Sequence, residues 1–182
     1  MIEDILAYNR QFVADKGYEQ FATDKYPNKK LAIVTCMDTR LIELLPAALD
    51  IKNGDAKIIK NAGGVISSPF GSAMRSLLIA IYELGCEEIM VIGHTDCGVS
   101  HIDSDRMIEE MKARGVSVHD IDIMRYCGVK FERWLAGFET VEKSVDVVIN
   151  HPLVPKDIHV SGYVMDSVTG ALTLVCDHQP EK

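Results

Sequence analysis

The sequence predicts an α/β fold in which helices flank one mainly parallel β-sheet. Short apolar runs rich in β-branched residues alternate with helical patterns along the chain, which is typical of strands buried on both faces of a parallel sheet. The chain has 182 residues, of which 47% are hydrophobic and 25% are charged, and this balance fits one globular domain with a sizeable core. No repeat or interdomain linker divides the sequence, so we expect a single domain over residues 1–182.

The N-terminal region is predicted to form a projecting amphipathic helix. Apolar side chains recur mostly on one side of a helix over residues 1–16, and Gly17 ends the pattern. A polar linker over residues 18–30 follows. Buried strands are predicted at 31–35, 56–60 and 88–92, and helices at 41–49, 70–84, 103–114, 121–135 and 139–150. We expect Pro46 to kink or shorten the helix at 41–49.

Two further strands are predicted near the C-terminus, at 158–165 and 172–175. The residues between them, 166–170 (DSVTG), have the composition of a hairpin turn that ends in glycine. We expect the last one or two strands to run antiparallel at an edge of the sheet.

The charge pattern excludes two classes of partner. The net charge is −8, from 19 basic and 27 acidic residues, and no run of Lys or Arg exceeds two, so neither nucleic acid nor an anionic membrane is expected. The first four residues (MIED) lack the basic start of a signal peptide, and no apolar run approaches the length of a membrane span. We therefore expect a cytoplasmic protein.

Five cysteines are an odd number without the spacing of a disulfide scaffold. A reducing compartment in which metal holds some of the thiols is the simpler interpretation. For Cys86 and Cys127 we expect only buried, reduced thiols.

Two motifs come directly after predicted strands and contain metal-ligating side chains. Cys36 opens the motif CMDTR at residues 36–40, and His94 and Cys97 belong to HTDCG at 94–98. Two thiols and one imidazole are ligands that Zn²⁺ prefers when a fourth position is left for water or substrate. Because the carboxyl ends of parallel strands meet at one edge of a sheet, we expect Cys36, Asn61 and His94 to share one site.

Asp38 and Arg40 follow the first cysteine closely enough to control that fourth position. Asp38 can accept a hydrogen bond from a reacting hydroxide, or swing off Arg40 and become the fourth metal ligand itself, and Arg40 can hold Asp38 by a charge-assisted bond. Three alternatives stay open: Asp38 caps the next helix, Arg40 is a solvated surface charge, and Cys36 and Cys97 form a redox pair without metal.

Glycines near both motifs indicate a tight pocket. Gly63, Gly64 and Gly98 let the backbone approach a small ligand, and their N–H groups could bind an oxyanion. Plain turn chemistry after a strand is an equally good explanation of each.

Taken together, these motifs resemble those of the β-class carbonic anhydrases, in the small branch that lacks the plant-type features. The resemblance rests on CMDTR at 36–40, KNAGG at 60–64 and GHTDCG at 93–98, in this order, and extends to GYVMD at 162–166. It covers about residues 28–176, which implies a core over 28–176 and a helical arm with a linker over 1–27.

The resemblance implies one Zn²⁺ per chain held by Cys36, His94 and Cys97, with hydroxide, or Asp38 in a closed state, as the fourth ligand. It implies that Asp38 and Arg40 are the catalytic pair, and that hydroxide on the zinc attacks CO₂ to form bicarbonate and a proton. It also implies a homodimer or a dimer of dimers, with the N-terminal helix packed on the partner.

Two other functions fit the same residues. The substrate could be a CO₂ analogue such as carbonyl sulfide or carbon disulfide, or the chain could be a non-catalytic protein that binds zinc or bicarbonate. His101 is a candidate proton carrier, although a histidine in a loop is more often an ordinary surface residue.

Overall fold

A five-stranded sheet forms the centre of the molecule in the computed structural model, which describes residues 1–129 and 137–181. The strand order is β2-β1-β3-β4-β5. The strands are β1 (Leu31–Cys36), β2 (Ala56–Asn61), β3 (Glu88–His94), β4 (His159–Met165) and β5 (Leu172–His178). The described helices are α1 (Ile2–Ala14), α2 (Leu41–Ala48), α3 (Ser72–Tyr82), α4 (Ser104–Ala113), α5 (Val118–Tyr126) and α6 (Phe138–Ile149).

The pairing of the strands confirms the predicted fold class. Strands β2, β1, β3 and β4 are parallel, and β5 pairs antiparallel with β4 at an edge. The turn before β5 contains Gly170 with φ +77°, as a hairpin requires. Strand β5 is three residues longer than predicted, because 176–178 pair with 160–162 of β4.

Both faces of the sheet are covered, since alternate residues of the central strands β1 and β3 enter different clusters of buried side chains. On one face, Ala32 and Val34 of β1 pack with residues of α3 and α6. On the other face, Leu31 and Ile33 of β1 pack with residues of α2, and Cys36 and Cys97 join this cluster at the carboxyl end of the strand. The metal-ligating motif is therefore anchored in a fully buried central strand.

Several predicted boundaries move for local reasons. The helix predicted at 70–84 begins only at Ser72, and Pro46 lies inside α2, which ends one residue early. The helix predicted at 121–135 was misplaced: α5 begins at Val118, where the Ser117 hydroxyl accepts the N–H of Asp120, and it ends at Tyr126. Gly128, with φ +100°, turns the chain there, and the remainder of this prediction, 130–135, lies outside the described residues.

The cysteines differ in burial. Cys86 is buried, as predicted, but Cys127 is exposed because it lies in the turn that follows α5, so the expectation of a buried thiol at 127 was wrong. None of the five cysteines, all of which lie in the described ranges, forms a disulfide. Among the described helices, none is long and apolar enough to cross a membrane.

Candidate metal centre

The carboxyl ends of β1 and β3 bring the three predicted ligands together. Cys36 is the last residue of β1 and His94 is the last residue of the neighbouring parallel strand β3. Cys97 follows three residues later, directly before a short 3₁₀ turn at Gly98–His101. The ligand atoms of the three side chains all lie within 4.8 Å of one another, and the two Sγ atoms are 3.8 Å apart. Two loops separated by more than fifty residues thus form one cluster.

The imidazole of His94 is oriented toward this cluster by a backbone bond. Its Nδ1–H donates to the carbonyl of Thr95 at 2.9 Å, so that in the neutral imidazole Nε2 is the acceptor nitrogen. Nε2 is buried and has no hydrogen-bond partner, although such an atom ordinarily costs stability. A cation bound at Nε2 would remove this cost, and a backbone partner on the other nitrogen is what metal-ligating histidines usually have.

The two thiols have the burial expected of metal ligands. Cys36 and Cys97 are each only 3% exposed. Burial raises the pKa of the Cys97 thiol, and the neighbouring Cys36 raises it further. A divalent cation would reverse this balance, since it stabilises both thiolates. The donor set of two sulfurs and one imidazole nitrogen therefore fits Zn²⁺.

Asp38 and Arg40 form a bidentate pair beside the cluster. The Nε and Nη2 groups of Arg40 donate to the two carboxylate oxygens of Asp38 at 3.0 and 2.9 Å, and the Arg40 backbone N–H donates to Asp38 Oδ1 at 2.9 Å. These bonds hold the pKa of Asp38 well below its usual range. Asp38 is therefore ionised, and its Oδ2 lies 3.8 Å from His94 Nε2.

Of the alternatives for this pair, neither simple helix capping nor a solvated charge describes the contacts. The side chain of Asp38 bonds to Arg40, while the first helical N–H of α2, that of Leu41, bonds to the backbone carbonyl of Asp38. The Arg40 guanidinium is engaged on several sides, because it also donates to Asp96.

A cavity beside His94 and Cys97 has walls that the sequence did not indicate. It measures about 260 Å³ and lies between the His94–Cys97 segment and residues Gly137, Phe138 and Val164. The four predicted pocket residues do not line it: Asn61, Gly63, Gly64 and Gly98.

The structure instead gives most of these four residues a role in the turn behind β1. The Asn61 amide donates to the carbonyl of Val65 and accepts its N–H, both at 2.8 Å. Gly63 and Gly64 have φ +83° and +65°, and a Cβ on Gly64 would lie 2.9 Å from the Cys36 nitrogen. A Cβ on Gly98 would meet nothing within 4 Å. Their part in substrate binding stays a prediction.

Comparison with known proteins identifies the family. A family model described as carbonic anhydrase matches residues 31–172. This chain belongs to the carbonic anhydrase family. The solved structure of a β-carbonic anhydrase isoform I from Trichomonas vaginalis superposes with a TM-score of 0.88 at 32% identity, over 98% of both chains. This similarity confirms the β class that the motifs indicated.

Curated carbonic anhydrase relatives include "Putative carbonic anhydrase YtiB" of Bacillus subtilis (strain 168), which is 49% identical over 179 residues and matches over 96% of each sequence. "Beta-carbonic anhydrase 1" of Mycobacterium bovis is 34% identical over 149 residues, covering 82% of this chain and 83% of the relative. A "Carbon disulfide hydrolase" of Acidithiobacillus thiooxidans is 31% identical over 157 residues, covering 80% of this chain and 76% of the relative.

Beside the ligand cluster, sequence reasoning missed two contacts of Arg40. Asp96 was quoted as part of a motif but was given no role, and Ser167 lies in the turn before β5, far from the motifs in sequence. The position of Asp96 between two metal-ligating residues was a usable signal, whereas no local pattern marks Ser167. His101 Nε2 lies 4.0 Å from Asp96 Oδ1, at the exposed rim of the site.

Proposed function

We propose that this protein is a zinc-dependent carbonic anhydrase that catalyses the reversible hydration of carbon dioxide to bicarbonate and a proton. The observation that supports it best is the buried cluster of Cys36, His94 and Cys97, in which His94 Nε2 has no hydrogen-bond partner, next to the ionised Asp38. Zinc bound there would supply the Lewis acidity that makes water a nucleophile near neutral pH.

The side chains around the cluster have complementary tasks in this reaction. Asp38 can only accept hydrogen bonds, because it is ionised, so it orients the attacking oxygen through that oxygen's remaining proton. Arg40 holds both carboxylate oxygens of Asp38, which limits the directions in which Asp38 can move. Phe138 and Val164 give the cavity an apolar wall, which suits a small, uncharged substrate without strong hydrogen-bonding groups.

Activity measurements test the function directly. We expect zinc-replete protein to hydrate CO₂ in a stopped-flow assay, Cys36→Ser to lose both zinc and turnover, and Arg40→Ala to keep zinc but lose most turnover, roughly 100-fold, because Asp38 loses its support. Unchanged turnover in Arg40→Ala would refute the role of the pair. Ser76→Ala, on the exposed surface of α3, serves as the control variant.

Carbon disulfide is the alternative substrate to test, because several relatives of this chain are named carbon disulfide hydrolases. The relatives named as carbonic anhydrases are more similar and match more of the chain, which favours CO₂. Turnover of carbon disulfide or carbonyl sulfide without CO₂ hydration would reverse this preference. Full zinc occupancy with no turnover of any of the three would indicate a protein that only binds zinc or bicarbonate.

We further propose that the protein assembles as a homodimer or a dimer of dimers in the cytoplasm. Helix α1 is amphipathic, yet none of its residues is buried within the chain. Ile2, Ile5 and Leu6 are among its exposed apolar side chains, and such a surface usually marks an interface. Light scattering of Leu6→Asp should show dissociation to the monomer, whereas Gln11→Lys on the opposite side of α1 should not; an unchanged mass for Leu6→Asp would contradict this proposal.

A further inference from the structure

Asp96 adopts a left-handed backbone conformation. Its φ is +51°, in a region that L-residues other than asparagine and aspartate seldom adopt. It lies between the two ligands His94 and Cys97 of the segment that forms one wall of the cavity. A strained residue at such a site persists when its surroundings determine its conformation.

The hydrogen bonds that Asp96 accepts from side chains come from the Arg40 guanidinium, and His101 Nε2 lies farther away, at 4.0 Å from Oδ1. The Oδ2 of Asp96 accepts from Arg40 Nη1 at 3.0 Å, and its backbone carbonyl accepts from Arg40 Nη2 at 2.8 Å. Arg40 Nη1 also donates to the Ser167 hydroxyl at 3.5 Å. Together with the two bonds to Asp38, these contacts occupy all five N–H groups of the guanidinium.

The bonds from Asp96 connect two separate parts of the site. Asp38 and Arg40 lie on the loop after β1, whereas Asp96 lies on the loop after β3 with His94 and Cys97. Asp38 and Arg40 bond to each other, so without Asp96 they could move together relative to the ligand cluster. Asp96 therefore links this pair directly to the loop that carries the two ligands.

We propose that Asp96 is a positioning residue for the hydration reaction, which clamps the Arg40 guanidinium so that the Asp38 carboxylate stays at a fixed distance from the ligand cluster. This inference rests on the proposed function for its kinetic consequence, but the clamp itself is a property of the folded chain. The Asp96 side chain is 72% exposed, and exposed ion pairs contribute little to stability. The Asp96–Arg40 contact therefore fixes the position of the guanidinium and adds little to the free energy of unfolding.

Asp96→Gly separates these two contributions. Glycine accepts the left-handed conformation freely and keeps the backbone carbonyl bonded to Arg40, but it removes the carboxylate. We expect kcat to fall about 10- to 100-fold, because small misplacements of orienting groups have effects of this size, while KM changes little, zinc content is unchanged and Tm stays the same or rises. Asp96→Asn keeps one acceptor and should recover part of kcat.

Asp50→Gly is the matched control. Asp50 is also an aspartate with positive φ, +48°. Its exposed side chain pairs with Lys52 at 3.7 Å, and it belongs neither to the ligand cluster nor to the cavity lining. We expect Asp50→Gly to keep native kcat. Proton–nitrogen NMR spectra of the arginine side chains provide a readout that needs neither substrate nor turnover. The Nη signals of Arg40, assigned with Arg40→Lys, should be resolved in the native protein and averaged by rotation in Asp96→Gly.

Two results would overturn the proposal. One is a native kcat in Asp96→Gly, and the other is a fall in kcat that is accompanied by a parallel fall in zinc content or Tm. Retention of resolved Arg40 Nη signals in Asp96→Gly would overturn the clamp as well. Absence of CO₂ hydration by the zinc-replete native protein would instead overturn the proposed function, and the NMR comparison would then still decide whether Asp96 clamps Arg40.

Discussion

Replacement of Gly64 by alanine tests whether the turn behind β1 is packed as the structure shows. Gly64 has φ +65°, and an added Cβ would lie 2.9 Å from both the Cys36 nitrogen and the Thr35 carbonyl carbon. These are backbone atoms of β1, which is paired on both sides by β2 and β3. The strand cannot move away without loss of its ladder bonds, so the collision must be absorbed at the metal-ligating end of β1.

The size of the effect follows from two additive contributions. A non-glycine residue in the left-handed region costs about 1–2 kcal/mol, and overpacking typically costs about 1–3 kcal/mol more. Gly85, with φ +71° and nothing within 4 Å of an added Cβ, isolates the first contribution. Gly64→Ala should therefore lower the free energy of unfolding by about 2 kcal/mol more than Gly85→Ala, or roughly 4–8 °C in Tm for a chain of this length.

The assay is urea unfolding of both variants and the native protein, followed by circular dichroism at one protein concentration and one zinc concentration. We also expect a weaker affinity for zinc in Gly64→Ala alone, because the displaced backbone belongs to Cys36. Equal losses of stability in the two variants would refute the close contact of Gly64 with β1. Native zinc affinity in Gly64→Ala would refute the link between this turn and the metal cluster.

Three further predictions concern the hairpin, the core and the metal. Hydrogen bonds from the backbone N–H groups of residues 169 and 168 lower the pKa of Asp166, so its charge stabilises the fold above the ordinary pKa of an aspartate. Asp166→Asn should therefore lower Tm at pH 7, and the difference in Tm from the native protein should vanish as pH falls through the lowered pKa. A difference in Tm that does not change with pH would contradict this. Gly162→Ala would place a Cβ 2.7 Å from Val141 Cγ1 and should cost about 1–3 kcal/mol in urea unfolding; native stability would show that the sheet and α6 are less tightly packed there. Chelation of the metal should lower Tm in calorimetry, because a ligand bound only to the folded state stabilises it. After chelation, mild oxidation should join Cys36 and Cys97, whose sulfurs are 3.8 Å apart, so that a thiol titration counts two thiols fewer. An unchanged thiol count would show that this pair does not oxidise.

Where the sequence predicted elements well, the signal was local. The first three strands were placed to within two residues at each end, because continuous β-branched runs between turn residues are recognisable without knowledge of the partner strands. The end of α5 was missed because helical periodicity continued past a glycine at 128 that the structure holds at φ +100°. The burial of a side chain that follows a helix end depends on how the chain turns there, and for this reason the exposure of Cys127 could not be predicted.

The candidate site likewise has a part that the sequence predicted and a part that only the tertiary structure decided. The residue types at the ends of β1 and β3 were enough to predict that two thiols and an imidazole would share one site, because parallel strands deliver their carboxyl ends to one edge. The sequence left open whether Asp38 pairs with Arg40 or caps the next helix. Only the tertiary structure decided which walls close the cavity and that Asp96, 56 residues from Arg40, completes the contacts of the guanidinium. The physical reason is that ligand chemistry is a property of the side chain, whereas the dihedral angles and partners of a loop residue depend on contacts between segments that are distant in sequence.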